Sequence, residues 1–333
     1  MRAPGFWHGP AGLAAHLLGP LGALYAAGTA RRLAQGARAR VGVPVICVGN
    51  INAGGTGKTP TVIALAERLR ARGVAAHAVT RGYGGTQAAP LRVRELKHRA
   101  AQVGDEALLL AAFLPTWVAI DRAAGARAAV AAGAQAIVLD DGFQNPDLAH
   151  GLSLVVVDAW RGFGNGRVIP AGPLREPVAA GLARADMLLS IGPTQAQARF
   201  AATWGDIVRL PHLTGTLEPL PTGLPLAGVK VLAFAGIGHP EKFFQTLRGL
   251  GADVLATHAL ADHQPLSDAL MVRLLREAAM AGAQVVCTEK DAVRLSPAYR
   301  ARVMTVPVRL RIDDWSALDA ALDRVLSGGA AAG

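Results

Sequence analysis

The chain has 333 residues, enough for about two domains that each bury a core. Apolar residues make up 51% and charged residues 17%, with a net charge of +10 and a mean hydropathy of +0.30; this balance leans toward membrane contact and calls for an anionic partner. Cys47 and Cys287 lie far apart in apolar runs and read as buried, reduced thiols of a cytosolic protein, which excludes a disulfide framework.

The first element in chain order is a stretch without charge. Residues 11 to 30, AGLAAHLLGPLGALYAAGTA, contain no Asp, Glu, Lys or Arg, and Arg31, Arg32, Arg38 and Arg40 follow. A transmembrane helix, a cleaved signal peptide, an ordinary buried helix and a helix lying on a membrane compete for it. His16, Pro20 and four glycines make a poor span, and a signal peptide would export the next motif away from ATP. Leu13, Leu17, Leu21 and Leu24 recur at helical spacing, with Leu18 and Tyr25 beside them and Phe6 and Trp7 at one end. That pattern favours residues 1 to 40 as an amphipathic, membrane-associating helix set into one leaflet, its arginines against lipid phosphates.

Residues 43 to 48, VPVICV, form a strand-like run, and 59 to 73, TPTVIALAERLRARG, a helical one. Between them GNINAGGTGKTP (49 to 60) nearly spells a phosphate-binding loop, failing the pattern G-x-x-x-x-G-K-[ST] only where Asn52 replaces the first Gly. The physics asks for a strand that ends, a curl that turns successive N–H groups toward phosphate, and a helix that starts there. Gly54, Gly55 and Gly57 permit the curl, and Asn is among the few other residues that reach positive φ cheaply. Asn52, Ala53, Gly54, Gly55, Thr56, Gly57, Lys58 and Thr59 are thus expected to cradle ATP. Lys58 would reach the β- and γ-phosphates, and Thr59 would offer its hydroxyl to Mg²⁺.

Short β-rich runs then alternate with Ala/Leu-rich helical ones, at 75 to 85, 116 to 121, 136 to 144, 152 to 159 and 186 to 192. This is the rhythm of an α/β fold with a mostly parallel sheet, where function gathers beyond the C-terminal strand ends. The expected organisation is a P-loop NTPase-like kinase domain over 41 to 209, a Pro/Leu-rich linker over 210 to 228, a smaller C-terminal α/β domain over 229 to 327, and a disordered tail over 328 to 333. The run AIVLDDGFQ ends its apolar part in Asp140 and Asp141, where such a protein needs a carboxylate for Mg²⁺. VGDEALLLA sets Asp105 and Glu106 before an apolar helix, as caps or as a base for the attacking oxygen. LADHQPLS sets Asp262 and His263 on a loop of the second unit, a candidate partner from across the domain boundary.

In this order, several stretches resemble the tetraacyldisaccharide 4'-kinases of lipid A biosynthesis: GGTGKTP (54 to 60), TRGYGG (80 to 85), GDEALLLA (104 to 111), DDGFQ (140 to 144), GNGRVIPAGPLREP (164 to 177), FAGIGHPEKFF (234 to 244), Asp262 with His263, and TEKDAVRL (288 to 295). The likeness covers nearly the whole chain and departs at Asn145, where the family usually has His. It implies transfer of the γ-phosphate of ATP to the 4'-hydroxyl of an acylated glucosamine disaccharide 1-phosphate, at the cytoplasmic face of the inner membrane. Such a lipid substrate gives the apolar start and the basic charge a common reason. By the same resemblance Lys58 neutralises the transferring phosphoryl group, Thr59, Asp140 and Asp141 hold Mg²⁺ with Glu176 nearby, and Asp105 is the base with His263 as its partner. Arg81, Tyr83 and Arg122 would meet the sugar or the 1-phosphate. A membrane-associated nucleotide switch remains the alternative, whereas thinly spread positive charge and few aromatic residues disfavour nucleic acid as the partner.

Overall fold

The computed structural model describes residues 4 to 36, 39 to 221, 223, 225 to 262 and 264 to 330. Arg38 and His263 therefore lie outside the described residues. In chain order the strands are β1 (Val45–Gly49), β2 (Ala76–Thr80), β3 (Leu91–Arg92), β4 (Thr116–Val118), β5 (Ala136–Asp140), β6 (Leu152–Asp158) and β7 (Met187–Ile191). They continue as β8 (His212–Pro219), β9 (Lys230–Ala235), β10 (Asp253–Ala259), β11 (Gln284–Thr288), β12 (Met304–Val306) and β13 (Val308–Ile312). The helices begin with α1 (Leu13–Leu17), α2 (Gly19–Gln35), α3 (Lys58–Ala71), α4 (Ala100–Val103), α5 (Asp105–Ala111), α6 (Arg122–Ala131) and α7 (Val178–Leu182). After these come α8 (Thr194–Trp204), α9 (Pro240–Gly249), α10 (Asp268–Met280), α11 (Glu289–Ala292), α12 (Pro297–Arg300) and α13 (Ser316–Ala330).

The larger sheet runs β13-β8-β7-β6-β1-β5-β2-β4-β3 among the described residues, parallel except for the edge pairs β13 with β8 and β3 with β4. Its central strands VICVG, AIVLD and LSLVVVD are buried along their whole length, because helices cover both faces and leave no solvent side for polar residues. Ile46 and Val48 pack with Val62, Leu65 and Leu69 of α3 on one face, while Val45 and Cys47 pack with Ala126 of α6, Leu182 of α7 and Phe200 of α8 on the other. The smaller sheet, β10-β9-β11-β12, is parallel, with Phe243 and Leu247 of α9 on one side and Met271 and Leu274 of α10 on the other. Both cysteines are buried and free, as expected.

The division of the chain differs from the sequence expectation. The stretch 210 to 228, expected as a linker, contains β8, whose Thr214 and Leu213 extend the larger sheet in register with Ser190 and Leu189 of β7. The segment 229 to 327, expected as one C-terminal unit, gives β13 and α13 back to the first: Leu318, Ala321 and Leu322 enter its core. Arg68 of α3 and Arg72, which caps it, also pair with Asp319. The helix runs on to Ala330, so the tail expected from 328 is partly helical, and 331 to 333 lie outside the described residues. Proline and leucine content suggested a linker, but the prolines flank or end β8, at Pro211 and Pro219, and leave its interior free to pair with β7 and β13.

At the N-terminus α2 docks through Gly22, which lies against the Val168 carbonyl, and through the buried Thr29. Leu13, Leu17 and Leu24 point the other way and are 76%, 72% and 70% exposed, with Leu21 and Tyr25 also on the surface. Among the described residues no helix is long and apolar enough to cross a membrane. If α13 is a core helix of the first unit, Leu322→Ala should lower the unfolding free energy by about 2–5 kcal/mol, as read from urea titration of the full chain.

Candidate active site

The site forms where β1 ends. Asn50 Nδ2 donates to the Gly54 carbonyl at 3.2 Å and to Thr56 Oγ1 at 3.0 Å, which fixes the curl of the loop from within. Gly57, at φ +99°, is the residue before α3, and a Cβ there would sit 2.6 Å from Ile191 Cδ1, so both backbone and space demand glycine. α3 then opens at Lys58 with its positive end toward the loop. Asn52 plays a different part from the one expected, since it is not among the residues with positive φ. Its side chain donates to the Gly162 carbonyl at 3.0 Å, and the next residue's N–H donates to the Pro173 carbonyl at 2.6 Å. The missing glycine is thus a tether to the loop after β6.

Asp140 and Asp141 arrive from β5 next to this loop. Both Asp140 carboxyl oxygens are buried and accept no hydrogen bond among the described residues. Burial, followed by the field of Glu106, pushes this carboxyl up to about 7, against the pull of Lys58 and Arg122. Asp141 takes φ +54°, the left-handed region that a non-glycine residue enters at some cost. Its carboxylate lies 3.5 Å from Lys58 Nζ and 3.0 Å from Arg175 Nη1. Burial raises its pKa, but Lys58 and Arg175 outweigh that and hold it below the usual carboxylate range.

Glu176, expected near the metal, is bound by neighbouring side chains. Arg184 donates to both of its oxygens at 2.7 Å, and Gln144 Nε2 donates to one at 2.9 Å. Gln144 also bonds the Asn50 carbonyl and accepts from Arg175, so this acid braces the loop through a neutral intermediary. Of the three expected substrate contacts, Arg81 and Tyr83 are exposed, whereas Arg122 is buried at the start of α6 and bonds the Ala119 and Ile120 carbonyls. Burial lowers its pKa, Arg81 lowers it further, and Asp141 and Asp140 oppose this.

Across the loop, Gly104 at φ +86° brings α5 against β2's loop, where a Cβ would meet the Tyr83 carbonyl at 2.6 Å. This packing buries Asp105, leaving it 3% exposed. The second unit reaches over with three cations. Lys242 pairs with Asp158 at 2.6 Å, Lys290 with Glu106 at 3.1 Å and Asp262 at 3.6 Å, and Arg294 lies 3.8 Å from Asp105. Burial alone would lower the pKa of Lys290, but Glu106, Asp105 and Asp262 outweigh it and hold the ammonium above its usual range. Gly238 comes close to the phosphate loop, a Cβ on it lying 3.5 Å from Gly55 N. Sequence reasoning passed over Arg175, Gln144, Lys242, Lys290 and Arg294. All five lie inside the motifs named above, yet nothing local gives such residues a direction.

A glycine-rich loop between strand and helix, a paired carboxylate at the neighbouring strand end and a second unit closing over both define a nucleotide-dependent phosphotransferase of the P-loop class. The sequence model of tetraacyldisaccharide-1-P 4'-kinases matches residues 14–327, and the chain belongs to that family. It is 76% identical to a tetraacyldisaccharide 4'-kinase of Jannaschia sp. (strain CCS1), over 98% of this chain and 99% of the relative. Its identity to that of Dinoroseobacter shibae is 66%, over 97% of each. The crystal structure of LpxK from Aquifex aeolicus in complex with ATP superposes with a TM-score of 0.77 at 25% identity, over 94% of this chain and all of that one.

Because Glu176 is committed to Arg184, Glu176→Gln should lower stability by about 3 kcal/mol in the absence of nucleotide and divalent cation, measured by denaturant unfolding. A ligand to a cation alone would leave that value unchanged.

Proposed function

We infer that the protein transfers the γ-phosphate of ATP to the 4'-hydroxyl of a tetraacylated glucosamine disaccharide 1-phosphate, producing lipid IVA. The observation that carries the reading is the junction itself: a phosphate loop at the start of α3, with Asp140 beside it accepting no hydrogen bond among the described residues and Asp105 buried opposite, in a member of this family.

In this reading the N–H groups from Asn52 to Thr59 cradle the phosphates, and Lys58 leaves Asp141 to meet the charge that spreads over the transferring phosphoryl group. Asp140, Asp141 and the Thr59 hydroxyl would hold Mg²⁺, and the two partnerless buried oxygens of Asp140 fit such a hard cation. When bound, the cation supplies charge neutralisation to the phosphate oxygens. Among the described residues no three acidic, His or Cys side chains form a cation site on their own, in keeping with an ion that arrives with ATP and keeps water and phosphate ligands. Asp105 would take the proton from the attacking 4'-hydroxyl, with His263 as its partner. Arg81, Tyr83 and Arg122, grouped beyond β2 and β4, are the proposed contacts for the sugar and 1-phosphate.

The acyl chains set the place of the reaction. Drawing them out of a bilayer costs about 0.8 kcal/mol per CH₂, so the enzyme goes to the membrane. The exposed leucines of α1 and α2 suit insertion into one leaflet of the inner membrane at its cytoplasmic face, where ATP is available.

With γ-labelled ATP, Mg²⁺ and the lipid disaccharide 1-phosphate in detergent micelles, label should enter the lipid. Lys58→Ala and Asp105→Ala should each cut that rate by a factor on the order of 10² or more. ATP hydrolysis without lipid labelling would overturn the reading in favour of a nucleotide switch. In a vesicle-flotation assay, Leu17→Ser with Leu24→Ser should reduce lipid binding about tenfold or more and leave ATP affinity as it was.

A further inference from the structure

Lys290 sits where the two units meet. It projects from α11, whose first turn is fixed by Thr288: the Thr288 hydroxyl accepts from the Asp291 N–H and donates to the Asp291 carboxylate. From there its ammonium reaches Glu106 of α5, 3.1 Å away, and Asp262 of the loop between β10 and α10, 3.6 Å away. Glu106 follows Asp105 in the chain, and Asp262 precedes His263. One cation therefore joins the neighbours of both proposed proton-handling residues.

We propose that Lys290 is the positioning residue that draws Asp262 of the second unit onto the Asp105–Glu106 turn of the first. Its catalytic consequence rests on the kinase reading; the contact between the units does not. Three observations support the assignment. Glu106 and Asp262 converge on the same ammonium, so without it two carboxylates face each other across the boundary and repel. Arg294 cannot take over, because its Nε faces Asp105 at 3.8 Å and its two terminal nitrogens are taken by Asp291 and by the Gln264 and Gly236 carbonyls. The loop that carries Asp262 also borders the nucleotide cradle: a Cβ on Gly238 would lie 3.9 Å from Asp262 Oδ2 and 3.5 Å from Gly55 N. Holding Asp262 down thus holds the second unit against the phosphate loop.

The test uses the full chain with Lys290→Gln, Lys290→Arg and the double variant Lys290→Gln with Asp262→Asn. Label transfer to the lipid and amide exchange in the presence of ATP are read for each. The expected result is that Lys290→Gln lowers kcat about tenfold or more while the KM for ATP stays within about threefold. Lys290→Arg restores most of the rate, and adding Asp262→Asn to Lys290→Gln costs no further factor. In Lys290→Gln, exchange should rise across 236 to 239 and 260 to 266 and stay unchanged in β1 and β9. Unaltered kcat in Lys290→Gln, an arginine variant as poor as the glutamine one, or unaltered exchange in those segments would each overturn the proposal. Wild-type enzyme that fails to label lipid would sink the kinase reading instead, and the exchange pattern would still decide the contact.

Discussion

The register of β1 against β5 is the constraint on which the site depends. Val48 lies opposite Asp140, so the strand that carries the acids ends where the phosphate loop departs. A slip of one residue would turn Asp140 to the other face of the sheet. On the far side of β1, Gly49 pairs with Val155 of β6, which carries Asp158 at its end. Strands β2 to β5 lie on one side of β1, and β6 to β8 with β13 on the other. The loops therefore diverge at β1, the topological switch point at which open α/β sheets leave a crevice. Continuous apolar strands fix that register: every position from Val45 to Gly49 is buried, and none tolerates being moved to a polar neighbour.

The ion pairs that cross the boundary between the units share one polarity. The first unit contributes carboxylates, Asp105, Glu106 and Asp158, and the second contributes cations, Arg294, Lys290 and Lys242. Such charge pairs make the contact specific in orientation, and beside them Val293 of the second unit packs on the apolar cluster of Val103, Ala107 and Leu108 in the first.

Much of this was legible in the sequence, and the parts that were not share a cause. The phosphate loop, the acid-bearing strand and the helix opening at Asp105 are local patterns, so reading them required only periodicity and turn chemistry. Asn52 was legible as a deviation, but its role was not: its partner Gly162 is 110 positions away. Glu176 was placed near the cation by the family resemblance alone, and its pairing with Arg184, eight positions on, is visible only in the fold. The return of β13 and α13 to the larger sheet was hidden for the same reason. An apolar strand and an amphipathic helix look alike whichever core they join.

That return has a consequence for how the protein comes into being. Only Pro307 separates β12 of the smaller sheet from β13 of the larger, and its carbonyl accepts from the Leu220 N–H, beside the Pro219–Val308 pairing. The second unit is thus threaded into the first, entering and leaving at one point. During synthesis the nucleotide-binding core cannot be completed until the smaller unit has already been made, because its edge strand and the helix carrying Leu318 and Leu322 come afterwards. Until then the apolar face that α13 covers stays open, and the half-built enzyme exposes the surface over Leu152 and Leu154 before it can hold ATP.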